Sequence, residues 1–462
     1  MKKKSLRVLF AVRSYRHLPQ FRKMIEILAE RGHTVLVLIY KGLTDESLEQ
    51  VRNLEQGYER VTYDWTRPAS REGTFLLHAR ELLNFRKHLI TGGSEYYAQR
   101  WKEYLHPQLI KLFDWWFARL LLKTSLAGWA LGLFEKLTPP KSAVLVHLKE
   151  WKSDVVVASP VNLRLSSPEL EYLKAAISLK IPTAIPMASW DNITTKGLYH
   201  VKPDRYLVWN NVQIREIKQH HNVNPNQTRV IGATTMDYWH PMPTPTERTV
   251  FCKQHGIKEN EPFLLYLGSS VNTAGDQERW LVEKIRKTLD ETPNLHLKNL
   301  QLLVRPHPKH FKIYQDMDLP KIVVAPKNGY LPNPKDEQRL LMDSIFHSVG
   351  IIGINTSAML DAMVLNRPVI AVNMGERATM QMETYHFPEL VKSKAIKLVD
   401  VKNPGEISKA IQNVLEGIDE CKAMRDCFVK EYIRPRGLEI TSGEAIADEL
   451  EALVAEKTKV FS

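Results

Sequence analysis

The sequence predicts an α/β protein of two Rossmann-like, doubly wound domains, each a parallel sheet covered by helices. Three observations predict it. Short apolar runs alternate with amphipathic helical stretches. The alternation halts at a proline-rich stretch and then begins again. The length, 462 residues, exceeds what one ordinary core organises.

The first domain opens with Leu6–Val12, a continuous apolar run of the kind buried on both faces of a parallel sheet. An amphipathic helix follows over 21–33, with Gly32 near its stop, and then a strand over 33–40. Residues 75–137 read as a helical insertion rich in Leu, Trp and Phe with Lys and Arg between them. Two readings of 106–140 stand side by side. One is an interfacial helix or hairpin, its Trp and Leu in a membrane surface and its basic residues at the rim. The other is a helix packed on the domain core or at a dimer interface. The α/β rhythm resumes with strands over 154–160, 182–189, 205–210 and 228–233, and helices over 166–181 and 214–221.

These runs define a first domain over 1–240, expected to hold the acceptor, and a linker over 241–249 bearing three prolines. The second domain, 250–435, is expected to bind a nucleotide donor. Its strands read over 262–270, 300–308, 322–326, 349–355 and 368–373. Its helices read over 276–291, 337–348, 356–366 and 405–418. A last helix within 436–462 is expected to cross back to the first domain. Ligands of open α/β sheets bind at the carboxyl ends of the strands, so the expected site is a cleft where the two sheets face each other.

Composition narrows the class. Cys252, Cys421 and Cys427 are scattered and offer neither a disulfide framework nor a zinc pair. A reducing, cytoplasmic compartment follows. The basic N-terminus precedes too short an apolar run for a signal peptide, and no stretch is long enough to span a bilayer. The formal net charge is +12, and residues 1–150, with 25 Lys and Arg against 15 Asp and Glu, carry +10 of it. On charge alone such a surplus suits an anionic neighbour, whether membrane lipid, a phosphorylated acceptor or nucleic acid, and the expectation taken is an anionic surface at the inner face of the cell membrane. It also suits a simple solubility surplus. No nucleic-acid partner is expected.

Four motifs carry chemistry, each at an expected strand end. Gly268, Ser269 and Ser270 lie between a strand and a helix, where glycine allows close approach and hydroxyls and free N–H groups hold phosphate. Arg305 and His307 lie two apart and would share one face of an extended strand, with Pro306 and Pro308 stiffening the exit. A guanidinium and an imidazole suit a diphosphate or a leaving phosphate. Thr356 and Ser357 stand at a strand-to-helix junction, with Asp361 placed to accept from ribose hydroxyls. In the first domain, Trp190, Asp191, Asn192, Thr194, Thr195 and Lys196 form a polar set, with Asp191 the candidate general base. The alternative for Asp191 is an Asx turn.

Arg305–Pro308, then Thr356–Asp361 and Arg367-Pro368, together resemble the donor-binding domain of GT-B glycosyltransferases. The closest pattern is that of CDP-glycerol glycerophosphotransferases and related capsule and teichoic-acid transferases. The resemblance runs from Leu264 to Asn373. It implies that His307, Thr356 and Ser357 contact the donor pyrophosphate and that Asp361 lies near the nucleotide. Ile354-Asn355 departs from the acidic or aromatic residue those enzymes carry before the hydroxyl pair, and 1–180 do not match them. The fold also resembles non-hydrolysing UDP-sugar 2-epimerases, whose Gly-Thr-Arg-Pro-Glu loop is replaced here by Val12–Arg16.

The expectation is a metal-independent glycosyltransferase with no cofactor beyond its nucleotide-sugar or CDP-linked donor. The acceptor is a glycan or a lipid-linked hydroxyl of surface-polysaccharide assembly in the cell envelope. No Asp-x-Asp falls at an assigned strand end. A glycerophosphotransferase and a non-catalytic scaffold of a polysaccharide-assembly complex are the rivals.

Overall fold

The computed structural model describes residues 5–14, 17–40, 57–67, 74–91, 95–163, 168–331, 334–378 and 380–461. The chain forms two compact units, 1–240 with 430–462, and 241–429.

In the first unit β1 (Arg7–Val12), β2 (Thr34–Ile39), β3 (Val61–Trp65), β4 (Val155–Ser159), β5 (Thr183–Pro186), β6 (Arg205–Val208) and β7 (Thr228–Val230) form one sheet. Its order is β3-β2-β1-β4-β5-β6-β7, and every pairing is parallel. Phe10 of β1 stands between Val37 and Val157 of its neighbours. Val8, Phe10 and Val12 share a core with Phe21, Met24 and Leu28 of the helix Leu18–Glu30. This is the opening strand–helix–strand that the apolar run implies.

The chain returns to this unit through the helix Ser442–Phe461, whose Ala445, Ile446, Leu450 and Leu453 enter the same core. Gly443 permits the approach: a Cβ there would stand 2.7 Å from the backbone carbon of Lys23. Asp237 fastens the helix start. Its carboxylate accepts from Ser442 N at 2.8 Å, Ser442 Oγ at 2.6 Å and Gly443 N at 2.8 Å. A carboxylate on a helix N-terminus also complements the helix dipole.

The helical insertion comprises Thr74–Ile90, Glu95–Lys102, Pro107–Leu112, Trp116–Lys123 and Ser125–Leu137. It has its own small core of Phe85, Trp101, Leu105, Phe113 and Leu122. Arg80 joins it to the helix Pro168–Ser178, donating to Glu135 at 2.6 and 3.0 Å and to Glu171 at 3.0 Å.

In the second unit β8 (Phe263–Leu267), β9 (Gln301–Arg305), β10 (Ile322–Val324), β11 (Ile351–Gly353), β12 (Val369–Asn373) and β13 (Lys397–Asp400) form a parallel sheet in the order β10-β9-β8-β11-β12-β13. The expected linker is shorter than its prolines suggest. The helix Arg248–His255 begins within it, and Thr246 donates from N and Oγ to Asp343 at 2.9 and 2.6 Å. Two strands escape the sequence reading. Both β3 and β13 are sheet edges whose short, mixed composition offers no continuous apolar run.

Candidate functional site

The connectivity of the second sheet reverses at β8. From there the chain runs outward through β9 and β10, and then outward on the other side through β11, β12 and β13. Such a reversal opens a crevice at the carboxyl ends of the central strands. The loops after β8, β9 and β11 carry Gly268–Ser270, Arg305–His307 and Thr356–Ser357 respectively. Residues separated by about ninety positions thus leave adjacent strand ends.

Gly268 is required by its neighbours. Its N–H donates to Arg305 O at 2.9 Å, and a Cβ would stand 2.7 Å from His307 N. Any side chain would push the β9 exit away. Ser269 differs from the expectation of a phosphate contact. It is fully buried, its N–H donates to Glu278 at 2.6 Å, and its Oγ accepts from Asn355 N at 3.4 Å. The loop's interior is already filled by the Glu278 carboxylate, which also accepts from Tyr266 Oη at 3.2 Å. His310 Nδ1 lies 3.3 Å from the other Glu278 oxygen. Ser270 is half-buried, with its Oγ 3.5 Å from Thr273 Oγ1.

Arg305 ends β9 and is directed to Glu337, with which it forms a close ion pair. Glu337 in turn accepts from Leu331 N at 2.7 Å. The guanidinium therefore braces the helix Pro334–His347. His307 lies two residues beyond the strand, so it does not share a strand face with Arg305 as the spacing implies. It is half-buried, and its Nδ1 accepts from Lys309 N at 3.1 Å. That bond fixes the proton on Nε2. Burial pushes the imidazole down to about 4, and the Lys309 and His310 charges act in the same direction. At neutral pH His307 offers one uncharged N–H donor.

Thr356 and Ser357 lead into the helix Ala358–Val364, with Ser357 exposed and Thr356 half-buried. Ser357 makes no side-chain cap bond, so it does not act as the cap its position implies. Asp361 is buried within that helix. Two residues that the sequence reading missed hold the β11 exit. Asn355 Nδ2 donates to Met380 O at 3.0 Å. Gln381 donates from Nε2 to Ile354 O at 3.1 Å and Val372 O at 2.7 Å, and accepts from Met374 N at 3.0 Å.

In the first unit Asp191 belongs to a turn. It accepts from Ser189 Oγ at 2.6 Å, Thr195 Oγ1 at 2.8 Å and Lys196 Nζ at 2.9 Å. A carboxylate with those three side-chain donors holds the loop after β5; it makes no side-chain cap bond to the following backbone, so it is not the Asx turn of the alternative reading. The whole turn is clamped from outside. Lys87, fully buried, donates to Ile193 O at 2.7 Å and Lys196 O at 2.6 Å. Trp101 Nε1 donates to Thr195 O at 3.1 Å, and Asn162 Nδ2 to Asn192 O at 2.8 Å. Among the described residues no group of three or more His, Cys, Asp or Glu side chains could hold a metal ion.

No protein-family model matches the chain, and no curated protein matches it by sequence. Solved structures do. A glycosyltransferase from Rickettsia africae aligns over 98% of this chain and 99% of its own, with a TM-score of 0.56 and 11% identity. The S. aureus MnaA–UDP co-structure aligns over 97% of each chain, with a TM-score of 0.55 and 11% identity. The UDP-GlcNAc 2-epimerase from Methanocaldococcus jannaschii aligns over 97% of this chain and 100% of its own, with a TM-score of 0.55 and 14% identity. With its two parallel sheets of seven and six strands, the chain has the two-domain, Rossmann-like GT-B fold.

Proposed function

We propose that the protein is a GT-B glycosyltransferase that moves a sugar from a nucleoside-diphosphate donor to a hydroxyl of a surface-polysaccharide or lipid-linked acceptor. The observation that supports this is that the loops after β8, β9 and β11 leave adjacent strand ends at the switch point of the second sheet, one of them bearing the neutral N–H of His307. In the transfer, the bond from the anomeric carbon to the phosphate oxygen breaks and the bond to the acceptor oxygen forms. The nucleoside diphosphate leaves with the bonding pair, and the proton of the acceptor hydroxyl passes to water. His307 Nε2–H and the loop N–H groups near Ser270 and Ser357 stabilise the charge that develops on the leaving phosphate. This reading assigns that charge to protein donors, so turnover should survive a chelator.

The resemblance of Arg305–Pro308 and Thr356–Asp361 to CDP-glycerol glycerophosphotransferases supports a CDP-linked donor as the nearest variant. The structural likeness to 2-epimerases supports another, in which UDP-GlcNAc is isomerised and no acceptor is consumed. Incubation with UDP-, GDP-, CMP- and CDP-linked donors, with product analysis for free nucleotide and for epimer, separates the readings. Acceptor-dependent nucleotide release from one sugar donor is the expected result. Epimer without nucleotide release, or no reaction with any donor, contradicts the proposal.

A further inference from the structure

The helical insertion carries a surface that the donor site does not use. Trp115, Trp116, Leu120, Leu121, Leu126 and Trp129 are all exposed, Trp116 at 75% and Trp129 at 61%. Large apolar groups clustered in this way mark an interaction site. They do not sit on a frayed segment. Arg86 donates to Leu122 O at 2.8 Å and to Lys123 O and Thr124 O at 3.0 Å, which clamps the bend between Trp116–Lys123 and Ser125–Leu137. Leu122 and Phe113 point inward to Phe85 and Trp101. The inner face of the pair is therefore part of a folded core while the outer face is bare.

The charges around this face indicate what covers it. Residues 105–141 hold five basic groups, Lys111, Arg119, Lys123, Lys136 and Lys141, and only two acidic ones. Both acids are neutralised by cations from outside the segment, Asp114 by Lys102 and Glu135 by Arg80 and Lys174. Lys111, Lys123 and Lys136 are exposed and have no acidic partner among the described residues. A second copy of the chain would bring the same positive rim against this one. An anionic bilayer offers the opposite charge together with an apolar interior at the depth of the tryptophans.

The two helices together have the length and composition of a span, but they are bent by 68°, and no single helix among the described residues is long and apolar enough to cross a membrane. Withdrawing them to span would also break the Arg86 clamp and the Glu135 ion pairs.

We propose that this bent helical pair is a monotopic docking surface for an anionic lipid bilayer, with its tryptophans and leucines in the interface and its lysines at the headgroups. The proposal is independent of the donor chemistry. It is tested by sedimenting the full chain with vesicles of phosphatidylcholine alone and of equimolar phosphatidylcholine and phosphatidylglycerol.

Wild type should bind the anionic vesicles, bind the neutral ones far less, and be released as salt rises. Trp116→Ala with Trp129→Ala should weaken binding by roughly tenfold or more, since each indole removed is apolar area withdrawn from the interface. Lys123→Glu with Lys136→Glu should also weaken it, by roughly tenfold or more, on anionic vesicles only. All four positions are exposed, so melting temperatures should stay at the wild-type value. Equal sedimentation with both vesicle types overturns the proposal, as does undiminished binding by the tryptophan variant. A lipid-free dimer that the tryptophan pair alone dissolves overturns it in favour of self-association.

Discussion

Glu278 shows how a residue outside any recognisable motif can hold a site together. Its buried carboxylate accepts from Ser269 N and Tyr266 Oη beneath the β8 loop. Burial and this carboxylate together hold the Tyr266 phenol well above its ordinary range. Glu278→Ala strands two buried donors, each at about 1–3 kcal/mol, so urea unfolding should register a loss of roughly 3 kcal/mol. Glu278→Gln keeps an acceptor for Ser269 N–H and should lose less. An unchanged unfolding midpoint in Glu278→Ala contradicts this account. The sequence made Gly268 legible as a turn, but the constraint the structure shows, the close approach of the β9 exit, carried no signal. Glu278 was illegible because a glutamate in the first turn of a charged helix reads as a solvated face. Its burial arises only once β8, β9 and β11 are side by side. Gln381, a glutamine in an irregular loop, carried no signal at all.

At the scale of elements, the loop after β5 depends on the helical insertion. Lys87 comes from the helix Thr74–Ile90 and satisfies carbonyls of Ile193 and Lys196 more than a hundred positions away. Burial lowers the pKa of this amine well below its ordinary value. Lys87→Met keeps most of the volume and removes the donor. It should cost about 2–4 kcal/mol by leaving buried carbonyls unpaired, and amide exchange at 192–197 should accelerate. Normal stability together with unchanged exchange contradicts the clamp. Glu135 anchors the other end of the insertion. Burial alone would raise its pKa, but hydrogen bonds and charge from Arg80 and Lys174 outweigh burial and hold it at about 2. Removing one partner of such a pair by Glu135→Ala should cost about 3–5 kcal/mol in thermal or urea unfolding. Elements were legible where apolar runs were long, as in β1, β4 and β8. The edge strands β3 and β13 were not, because half-solvated edges need no continuous apolar run. The lysine clamp was hidden because its partners are backbone carbonyls, which leave no trace in side-chain pattern.

For the whole molecule, the buried histidines of the first unit set the acid limit of stability. Burial, and then the nearby Lys87, push His88 down to about 2 and His220 to about 4, and His221 lies well below its ordinary value. His221 uses both ring nitrogens, with Nε2 donating to Ile193 O at 2.8 Å and Nδ1 accepting from Tyr199 N at 3.4 Å. Folded pKa values below the unfolded value of about 6.5 mean that the unfolded chain takes up protons first as pH falls. Stability is then whole above pH ~6.5 and declines below it, by up to about 2 kcal/mol per histidine at pH ~5. Glu135 adds its own loss only below pH ~4.5, through its folded value of about 2. A melting temperature that is flat between neutral and mildly acidic pH contradicts this. The fold as a whole was legible, since two alternating α/β stretches around a proline-rich break are two sheets; the proposed donor site was legible only as a set of strand ends. In the proposed function His307 Nε2–H holds the leaving diphosphate. The most direct measurement is calorimetric titration of UDP, GDP and CDP into the full chain and into two variants. His307→Asn keeps an acceptor for Lys309 N–H and removes the Nε2 donor, whereas His307→Gln keeps a donor near Nε2 and loses the turn. One nucleoside diphosphate should bind wild type, with affinity roughly tenfold lower in His307→Asn at unchanged melting temperature, and largely retained in His307→Gln despite lower stability. Full affinity in His307→Asn would contradict the account.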